Sequence, residues 1–208
     1  MSRSEVERPA SPRDGSLSHA AGKGDLVELR RLLDEGVDVD STGETGRTAV
    51  TAAVYGGHLE AVRLLIDEGA DVDIQDEHRT NPLLALGETG DVAILREVLR
   101  AEPDLSRTNR FGGTALIPAS DRGHVECVRE LVRTDIDIDH VNDLGWTALL
   151  EAVILGDGGP AHQEIVRTLV AAGATVDLAD RDGVTPLEHA RSRQFSEIAR
   201  TLEDAGAS

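Results

Sequence analysis

The chain has 208 residues, and 21 Lys and Arg stand against 39 Asp and Glu, so the formal net charge is −18. A body this acidic repels phosphate backbones, and with only 2% aromatic residues it offers no base-stacking surface, so the composition excludes nucleic-acid binding. Because the chain has one cysteine, Cys127, no long apolar run and no apolar leader, we expect a cytoplasmic protein without disulfides or membrane segments.

Residues 1–13 are rich in Ser, Pro, Glu and Arg, and we expect this tail to be disordered. From residue 14 onward an apolar pattern recurs every 33 residues, with one step of 38 residues near the end. A fixed period of this length predicts a repeat architecture in one domain over residues 14–208. The six expected units span about 14–46, 47–79, 80–112, 113–145, 146–183 and 184–208.

The second unit shows how each repeat is expected to fold. Thr48 stands where an N-cap hydroxyl would begin a short helix, and Gly57 would end that helix. Val62 and Leu65 belong to the apolar stripe of a second helix, which Gly69 would terminate. An extended finger with alternating apolar and acidic residues follows. Helices this short are stable only when neighbouring units stack on them.

Three motifs stand at the repeat step: Gly57-His58-Leu59-Glu60, Asn109-x-x-Gly112-x-Thr114-Ala115-Leu116 and Asp180-x-x-Gly183-x-Thr185-Pro186-Leu187. These motifs resemble those of the ankyrin-repeat family. The resemblance covers about residues 14–206 and implies an all-α solenoid of six helix-turn-helix units with short, extended, β-hairpin-like fingers. It also implies a monomer that binds a partner protein through its concave groove and finger tips, without a cofactor. A glycine-rich insertion at 156–160, in the fifth repeat, resembles a bacterial ankyrin subgroup.

The third and fourth units depart from this pattern. Leu86-Gly87 replaces a small Ala pair, and Glu102 and Asp135 stand where a left-handed capping glycine is expected. A non-glycine residue in that conformation costs about 1 kcal/mol. Pro118 falls within the first turns of its helix and removes a hydrogen-bond donor there. We therefore expect these two units to be the least stable.

The polar patterns favour a structural interpretation over a chemical one. His58, His124 and His162 recur at equivalent positions, so the repeat explains them, and His140 is expected to be solvated. The string 135–139 lacks the glycine and glutamate of a calcium loop, so no metal site is predicted. The insertion at 156–160 is either a spacer or a contact loop. A ladder of aspartates is either a solvated face or a surface that steers a basic partner; it includes Asp38, Asp71, Asp104, Asp137, Asp40, Asp73, Asp139 and Asp177.

The few aromatic residues give the strongest functional signal. Phe111 lies at a finger tip, Trp146 follows the finger glycine, and Tyr55 lies at the exposed end of a first helix. Chance scatter or local packing is the alternative explanation, above all for Trp146. Because aromatic and Arg side chains dominate binding at protein interfaces, we predict a contact surface around them. Its candidate residues are Arg47, Tyr55, His78, Arg79, Arg110, Phe111, Asp121, Arg122, Leu144 and Trp146.

The favoured function is therefore a non-catalytic protein-interaction module; a partner with a basic surface is expected if the aspartate ladder is a steering surface rather than a solvated face. An inhibitor or immunity-type protein that blocks one specific enzyme is the first alternative. An enzyme or small-molecule binder that uses groove residues is a weaker one. Convergent polar groups in a closed pocket would favour the enzyme, whereas an open face with exposed aromatic residues would favour the interaction module.

Overall fold

The computed structural model describes residues 16–43 and 45–208, so the tail predicted for residues 1–13 lies outside the described part. The described residues form twelve helices and no sheet, and the predicted helical solenoid is confirmed. The helices are α1 Ser16–Gly22, α2 Leu26–Asp34, α3 Ala49–Tyr55, α4 Leu59–Asp67, α5 Pro82–Thr89, α6 Val92–Arg100, α7 Leu116–Asp121, α8 Val125–Leu131, α9 Ala148–Ile154, α10 Pro160–Ala171, α11 Pro186–Ser192 and α12 Ser196–Asp204.

The helices pair along the chain, and each pair packs on the next through one continuous apolar core. The core runs from Leu17 in α1 to Leu202 in α12 and consists mostly of Leu, Val, Ile and Ala. Ion pairs at the surface, each with an exposed Arg and a less exposed Glu, join the successive second helices α4, α6, α8 and α10. Such pairs contribute about 0.2–1 kcal/mol each, so the core dominates the stacking energy. The pairs are Arg63–Glu97 at 2.8 Å, Arg96–Glu130 at 2.7 Å and Arg129–Glu164 at 2.5 Å.

Four of the first helices begin at a side-chain cap. The caps Thr48, Asn81, Thr147 and Thr185 each accept a hydrogen bond from the backbone N–H three residues later. Such a cap satisfies one of the free N–H groups that every helix start exposes. These short helices therefore have defined starting points even though their sequences differ.

The first helix of the fourth unit begins differently because Pro118 has no N–H. In the second, third, fifth and sixth units, the residue at that position donates its backbone N–H to the carbonyl of the cap residue, as Ala52 does to Thr48. Here Ile117 donates to the Thr114 carbonyl at 3.2 Å instead, and α7 begins one position later. The Thr114 hydroxyl is consequently buried without a hydrogen-bond partner. Pro118 thus removes its own donor and also costs the helix its side-chain cap.

Close packing of α5 against α7 depends on Gly87. A β-carbon at that position would lie 2.5 Å from the Ala115 carbonyl oxygen and 2.9 Å from Pro118 Cγ. The unusual Leu86-Gly87 pair therefore provides the space that Pro118 and the shifted helix start require.

The fingers are built on side-chain-stabilised turns. Asp76, Asn109, Asn142 and Asp180 each accept two backbone N–H groups, from the residues two and four positions later. The backbone closes each turn as well, for example from Asn109 N to the Gly113 carbonyl at 2.9 Å. The fingers are hairpin-like in this respect, although the only strand-type pairing in the described residues is an isolated bridge between residues 42 and 48.

The aspartate ladder links neighbouring units. The carboxylate of Asp40 accepts the N–H of Asp71 at 2.8 Å, and Asp73 accepts that of Asp104 at 2.9 Å. In the same way, Asp139 accepts the N–H of Thr175 at 2.9 Å, and Asp177 accepts that of Ser208 at 3.1 Å. These residues are therefore structural as well as solvated. We call these four contacts the inter-unit aspartate bonds.

The junction between the third and fourth units has no such bond among the described residues. Ser106 occupies the position of Asp40 and Asp73, and its hydroxyl donates to Asp104 within its own finger at 2.5 Å. The repeat step aligns Ser106 with Asp40 and Asp73, so the replacement of aspartate by serine at this one position accounts for the missing bond.

Two expectations about local structure need correction. Glu102 does adopt the left-handed conformation, with φ 52°, but Asp135 does not. The helix before Asp135 ends through the Thr134 hydroxyl, which donates to the Leu131 carbonyl at 2.6 Å and lies 3.3 Å from Ile136 N. His140 is also not simply solvated, because its Nε2 lies 2.7 Å from the Gly112 carbonyl oxygen.

Within residues 16–43 and 45–208, no helix has both the length and the apolar character needed to cross a membrane. Within the same range, no three His, Cys, Asp or Glu side chains converge as metal ligands.

Candidate partner-binding groove

Finger tips and the ends of first helices enclose two adjoining cavities on one face of the stack. The smaller one, of about 160 Å³, lies beside Tyr55, and the larger one, of about 240 Å³, lies beyond Phe111. Glu88, Asn109 and Phe111 line both cavities. We call the two cavities together the groove and the larger one the Phe111 pocket.

The smaller cavity is polar and its side chains are held by one another. The Arg47 guanidinium lies 4.5 Å from the centre of the Tyr55 ring and donates to the buried Asp76 carboxylate at 3.2 Å. The Tyr55 hydroxyl donates to Glu88 at 3.1 Å. Burial, and after it the negative charge of Glu88, raises the pKa of Tyr55 to about 12. Tyr55 therefore stays a neutral hydrogen-bond donor at physiological pH.

Phe111 separates the two cavities on a rigid turn. Its side chain is 54% exposed, and the Arg110 guanidinium lies 4.7 Å from the ring centre. Its backbone N–H donates to Asn109, and its carbonyl accepts from Asp143 N in the next finger at 2.9 Å. An exposed ring on a backbone fixed from both sides loses little entropy on binding, which favours a contact role.

The Phe111 pocket has mostly apolar walls. Ile117 and Pro118 contribute from α7, Leu144 from a finger tip, and Leu155 from the end of α9. Leu144 and Leu155 are about half exposed, at 51% and 49%. Apolar side chains concentrated around one cavity are typical of interaction sites.

One carboxylate is buried in the wall of this pocket. Glu151 is only 7% exposed, and it accepts a hydrogen bond from the side-chain amide of Asn142 at 2.7 Å. Burial raises the pKa of Glu151 to about 7, and the negative charge of Asp121 is the second cause of this rise. Asp121 and Arg122 line the same cavity. Glu151 is therefore an acid whose charge state changes near neutral pH.

The structure brings most of the sequence-predicted residues into the groove. Arg79 and Trp146 do not line either cavity: Arg79 donates to the Thr108 hydroxyl at 2.9 Å, and Trp146 is half-buried. The smaller cavity contains Arg47, Tyr55, His78, Arg110 and Phe111, and the Phe111 pocket contains Phe111, Asp121, Arg122 and Leu144.

Sequence reasoning missed Glu88, Glu151 and Leu155. Glu151 had a recognisable signal, because it is a charged residue at the position that Ala52 and Ala85 occupy in other units. Leu155 had none, since it directly precedes the insertion that breaks the repeat register.

The insertion at 156–160 is packed on the following unit. The Asp157 carboxylate accepts the Gly159 N–H at 2.8 Å and lies 2.9 Å from His162 Nδ1. A β-carbon at Gly158 would overlap the Phe195 ring, so this glycine allows close approach. His162 Nε2 in turn lies 2.9 Å from the Asp121 carbonyl oxygen. The insertion thus supports the end of the groove near Leu155.

Comparisons with known proteins agree with this architecture. The family model for ankyrin repeats (3 copies) matches residues 17–106 and 83–180. A crystal structure of an ankyrin repeat domain from Acinetobacter baumannii AYE is 46% identical, with a TM-score of 0.89 over 93% of this chain and 99% of that one. The ankyrin repeat protein EF0377 is 36% identical, with a TM-score of 0.88 over 95% of this chain and all of that one.

A curated Escherichia coli (strain K12) relative, the ankyrin repeat protein YahD, is 53% identical over 57 residues. The matched segment spans 27% of this chain and 28% of that relative.

Proposed function

Because the chain belongs to the ankyrin-repeat family, we propose that it is a non-catalytic module that binds one partner protein through the groove and the adjoining finger tips. The distribution of exposed apolar residues carries this proposal. Among the described residues, six large hydrophobic side chains are exposed, and four of them line the groove: Tyr55, Phe111, Leu144 and Leu155. A chance distribution would not concentrate them on one face.

Phe111 is the expected centre of the interface. It lies between the two cavities, so a partner that fills either one contacts it. Arg110, stacked on the same ring, adds a second side chain of the type that dominates interface energies. Arg79 and Trp146 are proposed to flank this centre.

Binding measurements on matched variants test the proposal. The protein is used to capture a partner from native lysate, and the purified partner is then titrated with wild type, Phe111→Ala and Val27→Ala. Val27 is 81% exposed and lies outside the groove, so it controls for loss of an exposed apolar side chain. We expect Phe111→Ala to weaken binding about 30-fold, the effect of a 2 kcal/mol hot spot, without lowering the melting temperature. Equal affinities for the two variants would contradict the proposal.

An inhibitor of one specific enzyme is the second candidate, and the net charge of −18 favours it because a basic active-site cleft would suit this surface. If the captured partner is an enzyme, wild type should abolish its activity at one-to-one stoichiometry and Phe111→Ala should not. A partner that remains fully active in the complex would favour an adaptor.

We propose that the module acts as a cytoplasmic monomer of a bacterial subgroup in which the fifth repeat carries the insertion. The similarity to the Acinetobacter baumannii domain over nearly the whole of both chains supports the bacterial grouping. Light scattering at micromolar concentration tests the oligomeric state, and a mass near 44 kDa, twice the 22.2 kDa of the chain, would contradict the monomer.

A further inference from the structure

The Phe111 pocket combines apolar walls with carboxylates. Its volume of about 240 Å³ is below the roughly 300–1,000 Å³ of cavities that hold drug-sized ligands. It therefore suits one side chain of a partner. Ile117, Pro118, Leu144 and Leu155 line its walls, and Asp121 and Glu151 supply negative charge.

The buried carboxylate has no cation of its own. Within the described part of the chain, neither Glu151 nor Asp121 lies within 4 Å of a basic side chain; Arg122 is exposed and pairs with neither. The only hydrogen bond to the Glu151 side chain comes from the neutral amide of Asn142. A buried carboxylate is costly unless it is paired or neutralised, so a cation entering the pocket would be stabilised.

We propose, as a step that rests on the proposed function, that the Phe111 pocket receives one lysine or arginine side chain of the partner. The aliphatic stem lies along the apolar walls, and the cationic end lies beside Glu151 and Asp121. Long basic side chains commonly bury their stems in this way while their charged ends find a polar partner.

Other side chains fit this pocket less well. An apolar side chain would fill the walls but would supply no counter-charge, so Glu151 would be covered in its protonated form and would add no electrostatic attraction. An acidic side chain would be repelled by Asp121, Glu151 and the net charge of the whole protein. Charge complementarity thus selects a basic segment as the occupant.

The charge state of Glu151 should report on occupancy. Helices α7, α10 and α11 pack against α9, which carries Glu151. Asp121, at the end of α7, is the charged group that acts on it, while Arg122 and Glu88 line the same cavity. On α10 and α11, His162 and His189 have carboxylate partners elsewhere, Asp157 and Asp180. A cation beside Glu151 should therefore lower its raised pKa and release a proton.

A small cation tests the pocket without knowledge of the partner. The full chain is titrated with n-butylammonium chloride, and amide chemical shifts of residues 109–122 and 142–155 are followed by NMR. n-Butanol, which has the same stem without the charge, and potassium chloride are the ligand controls. We expect saturable chemical-shift changes with n-butylammonium. The affinity obtained from them should increase at least about tenfold between pH 5.5 and pH 8, because Glu151 ionises over this range.

Matched variants make the result decisive. Glu151→Gln keeps the hydrogen-bonding shape and should weaken n-butylammonium binding about tenfold and remove its pH dependence. Glu68→Gln removes an exposed carboxylate outside the pocket and should behave as wild type. Equal binding of n-butanol and n-butylammonium, or unchanged cation binding in Glu151→Gln, would overturn the inference.

This experiment fails independently of the proposed function. If Phe111→Ala does not affect partner binding, the interaction module is wrong whatever the small cation does. If Phe111→Ala weakens partner binding but Glu151→Gln alters neither partner nor n-butylammonium binding, only the basic-side-chain pocket is wrong.

Discussion

Two adjacent junctions of the solenoid are held together differently. Between the second and third units, Asp73 accepts the Asp104 N–H, and the following first helix has a side-chain cap at Asn81. Between the third and fourth units, Ser106 replaces the aspartate and the Thr114 hydroxyl has no partner. Both junctions share the apolar core and an ion pair between second helices. The two junctions thus share the same apolar packing and the same kind of ion pair between second helices, but they differ in the inter-unit aspartate bond and in the side-chain cap.

The groove lies over the junction that, within the described residues, has no inter-unit aspartate bond and no side-chain cap. Pro118 lines the Phe111 pocket and is also the residue that removes a helix donor, and Phe111 lies in the finger between Ser106 and Thr114. Local stability and the shape of the binding surface therefore depend on the same residues. This matches the general finding that binding elements belong to the less stable parts of a fold.

The largest expected effect concerns the helix packing at this junction. Gly87→Ala places a β-carbon against the Ala115 carbonyl and Pro118, and we expect it to lower the free energy of unfolding by about 1–3 kcal/mol, as overpacking does. In α1, Gly22→Ala is the control, because its β-carbon would meet Ala52 only at ordinary contact distance. Urea denaturation measures both. If the two variants were equally stable, α5 and α7 would not be as tightly apposed as described.

The inter-unit aspartate bond can be removed at one junction and added at the other. Asp73→Ala should cost about 1 kcal/mol, because the Asp104 N–H loses a charged acceptor, whereas Ser106→Asp should gain up to about that amount. Asp135→Ala, in the fourth unit, controls for the loss of an exposed acidic side chain. The measurement is thermal or urea unfolding at fixed ionic strength. A stabilising Asp73→Ala would show that charge repulsion outweighs the bond.

A third comparison concerns the threonines that precede two of the first helices. Thr147→Val removes a side-chain cap and should cost about 0.5–2 kcal/mol. Thr114→Val removes a buried hydroxyl that has no partner, so we expect a change close to zero or a slight gain in stability. Equal losses in the two variants would mean that Thr114 caps its helix in solution.

The repeated elements could be predicted from sequence, whereas the differences between repeats could not. The 33-residue step places the helices, and the motif residues place the finger turns at Asn109 and Asp180. The Asp73 bond joins a side chain to the backbone of the next unit; periodicity locates the aspartate but does not identify the backbone N–H that it accepts. The repeat step aligns Asp135 with the capping glycines and so predicts a left-handed residue, but the neighbouring Thr134 hydroxyl ends the helix instead.

The groove was partly predictable for a similar reason. Phe111 and Leu144 stand at finger tips, which repeat alignment identifies directly. The role of Glu151 depends on burial and on Asp121, which approaches it from the preceding first helix. Three-dimensional proximity between units was needed to recognise that pocket.

Native-state hydrogen exchange tests most directly the claim that the third–fourth junction, beneath the groove, is the weakest internal point of the stack. Exchange rates are compared for the amides of α7, α3 and α9, the first helices of the fourth, second and fifth units. Because a solenoid's stability is approximately a sum over neighbouring units, we expect α7 to open at a free energy about 1–3 kcal/mol below that of α3 and α9. Stronger protection within residues 83–135 than in α3 and α9 would contradict the account.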